Sequence, residues 1–513
     1  MESFIIGNRP LFVTPRRVQS VMAPNGTPRD FTHLRDVMGS LPMLKRYIVL
    51  CLCFHLSDEY ATNEIEGALR DGLERLAEAF PFLAGQVVMQ GRRHGCSGRP
   101  KIVPLKERIL LHINDLRQSG NLSFPTLSEM SAARYPFRFL DPAIILPPIA
   151  SSWAEDPGDF SQIAPVLILQ ANFVRGGLLL TFSCNHMTAD MTGLGTIISL
   201  FAKACRLERF TEEEIEQGNQ PRGNVVPLLG DEYEPGNDLE DVMVKPWRME
   251  GKNNPVPCSQ TVTVTTMPPT PVHPEAAVSW AYFNLTSSNL SLLKVAASRQ
   301  TLVPYITTDD AVGALCWRAI SRVRGGSNRR PGNTQNAKSS SSSFSTTMTT
   351  FARPLSARKY LGLSYLYLGH MVDVAYESGS VDVYEQPLGD VAARLRMLLQ
   401  RDDKIKHHVR AFATMLDRLD DKSQLVNGAN LDLDRDVIFS SHANVACCQK
   451  SFGPVLGTPE AARRPRMGAA PSLLYLMPRD KEGNMVVAMC LREDDLMALR
   501  DDEEFLKFAE YIG

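Results

Sequence analysis

Leu178–Gly193 reads LLLTFSCNHMTADMTG, and the fold of the chain turns on how that stretch changes character. Its first half is an apolar run with β-branched and aromatic members, as in a buried strand. It then breaks abruptly into Asn185, His186, Thr188, Asp190 and Gly193. Polar chemistry is therefore presented at the end of a rigid core element. An unperturbed imidazole has a pKa of about 6.5, so near neutral pH much of His186 is free base. Asp190, four residues on, can either hold the imidazole's tautomer or turn away and lock the turn with a cation, and spacing alone leaves both open.

Outward from this stretch, PVLILQANF (Pro165–Phe173) is a strand and Arg175-Gly176-Gly177 a tight turn, so the motif hangs off an antiparallel hairpin. After Gly193, LGTIISLFAKACR has helical periodicity and little polar surface, which predicts a helix buried beneath the site. Upstream, residues 31–55 run through Pro42 into a strand. Ile65, Ala68, Leu69, Leu73, Leu76 and Phe80 then fall at helical spacing up to Pro81, and FPFLAGQVV turns the corner into another strand. Residues 91–164 read as loops and short elements.

From Leu207 to Ala277 the sequence is acidic and rich in Pro and Gly, as in a crossover between halves. A second half opens with a strand at Ser279–Leu285 and a helix at Ser287–Ser298. A further helix begins in YITTDD, where a threonine can cap the amides and the acids favour the positive end. The serine run within Gly325–Ser345 reads as a surface loop, followed by a strand ending at Arg353. Leu388, Val391, Ala392, Leu395, Leu398 and Leu399 mark another amphipathic helix. DVIFSS reads as a strand, SFGPVLGTPEAARRP (Ser451–Pro465) as a long ordered loop, and Pro471–Met477 with Met485–Leu491 as a closing hairpin. The expected division is residues 1–206, a linker over 207–277, and 278–513.

Composition narrows the function classes. At 513 residues the chain exceeds what one core supports, so two domains are the default. Its 55 Lys and Arg against 57 Asp and Glu give a net charge of −2, which removes any global argument for nucleic acid or an acidic membrane surface. No segment approaches a membrane span and the N-terminus lacks a cleavage site, so the expectation is a cytoplasmic protein. The 10 cysteines form no CxxC pairs, and Cys51, Cys53, Cys184, Cys316 and Cys490 sit in apolar runs as free thiols. A metal centre on His186 and Asp190 lacks a third ligand at a recognisable spacing.

The order His186-Met187-Thr188-Ala189-Asp190 with Gly193, then SFGPVLGTPEAARRP, together with FPFLAGQV, YITTDDAVGALCWRAI and DVIFSSHAN, resembles the BAHD superfamily of CoA-dependent acyltransferases. Within it the chain is most similar to the fungal trichothecene 3-O-acetyltransferase-type branch. The first mark matches the family's HxxxD motif and the second its DFGWG-type loop. The resemblance implies an α/β fold of mixed sheets in two similar chloramphenicol-acetyltransferase-like domains, with a solvent channel between them and His186 facing it. It implies a monomer that transfers an acyl group, expected to be acetyl, from acyl-CoA to a hydroxyl of a small secondary metabolite, with no permanent cofactor. His186 would be the general base and Asp190 would shape its turn through a buried arginine. Ser440 and Ser441 are candidates at the thioester and its oxyanion, Thr307 and Arg353 along the CoA path, and Arg463 and Arg464 for the CoA phosphates.

Two departures stand out. Ser451 replaces the Asp that opens the family's loop, which would cost Arg353, its expected partner, an ion pair. His442 and Asn444 fall where plant members often carry Trp and a carboxylate-gripping Arg, which points away from a shikimate-like acid acceptor. The alternative is a non-catalytic or condensation-domain-like protein of the same fold that binds an acyl thioester, although Asn185 stands where condensation domains usually double the histidine.

Overall fold

The computed structural model describes residues 31–56, 61–105, 108–117, 124–152, 163–243, 277–299, 303–327 and 348–513. Two mixed sheets carry it. The first has five strands in the order Ala461–Arg463, Tyr47–His55, Gly177–Asn185, Leu167–Val174 and Leu110–Asp115, with only the last pair parallel. The second has seven, in the order Glu510–Tyr511, Val278–Leu285, Met485–Arg492, Leu473–Leu476, Val437–Ser441, Met348–Ser356 and Val372–Ser380. Gly85–Gln90 and Arg99–Pro104 form a separate two-stranded ribbon.

The key strand lies where its sequence demands. Gly177–Asn185 is buried at every position, paired with Tyr47–His55 on one side and with its hairpin partner Leu167–Val174 on the other. Central strands covered on both faces read as continuous apolar runs rather than alternating ones, and YIVLCLCFH and LLLTFSC are such runs. The helices Thr62–Ala79 and Met191–Cys205 pack on one another, the first through Ile65, Leu69, Leu73 and Leu76.

The cores do not divide at residue 277. One holds only residues between Ala281 and Ala509, among them Trp317, Phe351 and Phe439. The other takes the whole first sheet together with Tyr367, Ile405, Phe412, Cys447 and Phe452 from beyond the crossover. The physical reason is the Ala461–Arg463 strand, which leaves the second half to pair with Cys51–Cys53 and draws its neighbours along. The long loop expected at Ser451–Pro465 thus contains a strand. Residues 91–164 likewise hold two strands and several short helices.

The crossover begins with more order than its composition implies, since Glu212–Gly218 is a helix capped reciprocally by Thr211 and Glu214. Farther along, His408 sits between Asp373 and Asp241 at 2.9 and 3.1 Å. Burial alone would lower its pKa, but the two carboxylates push it up to about 10. A cation held in this way ties the crossover to the helix Asp402–Arg418. Residues 244–276 and the serine run lie outside the described residues. No described helix is long and apolar enough to cross a membrane.

Candidate active site

His186 follows directly on the strand Gly177–Asn185, and its backbone N–H donates to the Arg46 carbonyl at 2.9 Å, continuing the pairing with the neighbouring strand. Between Gly177 and Met191 it alone keeps partial exposure. Its Nδ1 lies 3.0 Å from the Ala189 carbonyl. A carbonyl can only accept, so Nδ1 carries the proton and Nε2 is left as a bare lone pair. Burial, then the His370 ring and the Arg46 charge, hold the pKa of His186 well below its ordinary value, so the ring is free base at neutral pH.

The ring meets the other half of the chain at His370, whose ring lies edge-on with centroids 4.9 Å apart. His370 Nδ1 donates to the His186 carbonyl at 3.1 Å, and its backbone N–H donates to Asp36 at 2.7 Å. Asp36 also accepts from the Tyr367 hydroxyl at 3.0 Å. Burial lowers the pKa of His370 to about 4, which keeps a second positive charge away from the base.

Asp190 caps the helix Met191–Cys205, accepting from the Gly193 N–H at 2.8 Å. Its carboxylate accepts from both terminal guanidinium nitrogens of Arg358, at 2.7 and 3.0 Å, and from the Met371 N–H at 2.8 Å. Arg358 is fully buried and also donates to the Tyr367 and Gly369 carbonyls. Burial would raise the Asp190 pKa, but the arginine overrides it and holds the carboxyl below its usual range. The carboxylate is thus occupied by the turn and by a cation, not by the imidazole. Arg222, from the crossover, closes the turn by donating to the Thr188 carbonyl at 2.7 Å.

Gly193 has a steric reason, since a Cβ there would stand 2.5 Å from the Leu368 carbonyl, the backbone that presents His370. Cys184 is buried, and burial raises its thiol pKa to about 12, so it is a protonated packing residue.

The other candidates lie in the second sheet. Ser440 and Ser441 end the strand Val437–Ser441 and keep partial exposure. Ser440 Oγ is 3.4 Å from His442 Nε2, and Ser441 Oγ accepts from the Ala443 N–H at 3.3 Å. Thr307 caps the helix Thr308–Ser327 by exchanging hydrogen bonds with Asp310. Arg353 is buried mid-strand with Nη1 2.8 Å from Asp310, which Arg396 also meets through Nε at 2.7 Å.

Arg353 is therefore not the partner of Ser451. Its charge is taken inside the second core, and the Ser451 carbonyl accepts instead from Arg206, which is also paired with Glu208. Arg463 and Arg464, candidates for the CoA phosphates, are both buried. Arg463 ends a buried strand with its guanidinium between the Tyr135 and Tyr282 rings, and Arg464 lies over Tyr475 at 4.0 Å. Among the described residues, no three His, Cys, Asp or Glu side chains converge on a metal-sized space.

Residues 46–205 match the trichothecene 3-O-acetyltransferase-like N-terminal domain, and residues 155–506 the Transferase family. An O-acetyltransferase of Cryptosporiopsis sp. is 35% identical over 487 residues, covering 93% of this chain and 97% of that protein. The trichothecene 3-O-acetyltransferase of Fusarium sporotrichioides is 36% identical, with 93% and 96% covered. The crystal structure of that enzyme with coenzyme A and T-2 superposes with a TM-score of 0.78 at 34% identity, over 93% of this chain and 99% of the other. Vinorine synthase, at 15% identity and a TM-score of 0.58, shares the fold. The chain belongs to the Transferase family of CoA-dependent acyltransferases, in its trichothecene 3-O-acetyltransferase-like branch.

Proposed function

We propose that the chain, as a cytoplasmic monomer, acetylates a hydroxyl of a small secondary metabolite, with His186 as general base and no covalent enzyme intermediate. The observation that carries this reading is the His186 ring. It is neutral, held through Nδ1 by the Ala189 carbonyl, and partly exposed beside His370 where the two halves meet. An alcohol is a poor nucleophile at neutral pH, and a positioned base is worth about a hundred- to ten-thousand-fold. Nε2 takes the hydroxyl proton as the oxygen attacks the thioester carbonyl. The tetrahedral oxyanion then collapses with loss of the CoA thiolate, which recovers the proton from the imidazolium.

Ser440, Ser441 or a neighbouring amide is the proposed donor to that oxyanion, on the strength of their partial exposure at the end of the second sheet's strand. Asp190 and Arg358 fix the geometry of the base from behind, so they are positioning residues. Thr307 and Arg353 serve as a cap and an internal ion pair on the CoA-facing lobe.

In a thiol-release assay with acetyl-CoA and a panel of fungal alcohols, His186→Ala is expected to lower turnover by at least a hundred-fold with an unchanged melting temperature. Relatives bound to T-2 and deoxynivalenol make trichothecene alcohols the first compounds to try. Unchanged turnover in the variant would remove the mechanism.

A further inference from the structure

His186 is held at three points. Its N–H donates to the Arg46 carbonyl beside the neighbouring strand, and its Nδ1 donates to the Ala189 carbonyl within the turn. Both of those partners are local to the first sheet. The third point is the His186 carbonyl, which accepts at 3.1 Å from Nδ1 of His370, a residue from beyond the crossover.

His370 belongs to a segment laid along the His186–Gly193 turn. The Tyr367 and Gly369 carbonyls accept from Arg358, the Leu368 carbonyl faces Gly193, and the Met371 N–H donates to Asp190. Asp36 anchors this segment. One of its carboxylate oxygens accepts from the His370 N–H at 2.7 Å and from the Tyr367 hydroxyl at 3.0 Å. The other accepts from the Met38 and Gly39 N–H groups at 3.1 and 3.4 Å. Residue 369 is glycine for a steric reason, since a Cβ there would stand 2.6 Å from the Asp36 oxygen that holds His370.

Packing alone does not require an imidazole at residue 370. The fold buries His442 without using its Nδ1, which has no hydrogen-bond partner among the described residues. His370 is buried as well, yet its Nδ1–H is spent on the backbone of the proposed base. With its pKa lowered by burial to about 4, the ring brings a donor to that carbonyl without placing a charge beside His186 at neutral pH. A base tethered by its side chain alone can swing with its backbone, and a misplacement of about 1 Å costs on the order of a hundred-fold in rate.

We propose, resting on the assignment of His186 as general base, that His370 is a positioning residue for it. The His370 Nδ1–H pins the His186 carbonyl, and Asp36 holds His370 in place. The second half of the chain thereby sets the aim of a base carried by the first.

Side-chain amides supply the test, because asparagine presents an N–H at the place of the imidazole Nδ1 and glutamine at the place of Nε2. Turnover is measured by thiol release from acetyl-CoA with deoxynivalenol, or with whichever panel alcohol is acetylated fastest. His370→Asn is expected to keep kcat within three-fold of the unmutated protein. His370→Gln and His370→Leu should each lower kcat at least ten-fold, with KM for acetyl-CoA and for the alcohol changed by less than two-fold. Asp36→Asn turns an amide N–H towards two of the donors that the carboxylate accepts. It should lower kcat at least five-fold alone and less than two-fold further in the His370→Leu background.

Equal kcat in His370→Asn and His370→Gln overturns the positioning role, and this pair decides even where the leucine variant fails to fold. A loss confined to KM overturns it too, as does an Asp36→Asn effect that multiplies in full with that of His370→Leu. Full turnover in His370→Gln beside an inactive His186→Ala defeats this inference alone. No transfer to any alcohol, or full turnover in His186→Ala, defeats the base assignment and this inference with it.

Discussion

Two buried aspartates open helices in this molecule, and they teach which part of the site is scaffold. Asp190 caps Met191–Cys205 and meets Arg358, 168 residues away, whereas Asp310 lies in the first turn of Thr308–Ser327 and meets Arg353 and Arg396, 43 and 86 residues away. Both carboxylates are held below their ordinary pKa by arginine, against the pull of burial. Only the first has a histidine on its turn. A buried acid–arginine pair is thus a device this fold uses to fix the start of a helix, and chemistry appears where a neutral ring is added to it.

The sharpest way to break that comparison is to remove each acid. Asp190→Ala and Asp310→Ala each strand a buried arginine, so each should lose about 3–5 kcal/mol of stability in chemical denaturation. Only Asp190→Ala should also lower kcat of the folded fraction by ten-fold or more. Equal loss of kcat in the two variants would make Asp190 a general structural residue with no bearing on His186.

A smaller effect concerns pH. Burial, His370 and Arg46 all oppose the imidazolium, so the free base persists as pH falls. The acid limb of kcat/KM should therefore have its midpoint below pH 6.5. A midpoint at or above that value would mean the ring is solvated or paired with an acid.

The smallest effect is expected at Ser451. Arg206 is already paired with Glu208, so Ser451→Asp adds a second acid to a partly exposed arginine and should change stability by less than about 1 kcal/mol. A larger gain would show that the loop had lacked an anchor.

These expectations rest on residues of unequal legibility. The strand Gly177–Asn185, its hairpin partner and the helix after Gly193 were readable because their signals are local: an apolar run, a Gly-Gly turn and a helical period. His186 and Asp190 were readable as a motif. Arg358, His370, Asp36 and Arg46 were not, since each reaches the turn through space and none carries a pattern of its own. His370 meets His186 across 184 residues, and nothing in LGHMV announces that. Family analogy failed at Arg353 because it named a partner without knowing that Asp310 stood nearer. The best available signal was the family's rule that the HxxxD acid pairs with a buried arginine, which pointed to a guanidinium without saying which.

The strand Ala461–Arg463 has a consequence for biosynthesis. Until the ribosome has made residue 463, the edge at Cys51–Cys53 has no neighbour, although the rest of its sheet was translated hundreds of residues earlier. The nascent chain must wait with an open, apolar border, the kind of border on which unfinished proteins stick to one another. Chains stopped before that point should gather in chaperone complexes or inclusion bodies rather than persist as a free first lobe.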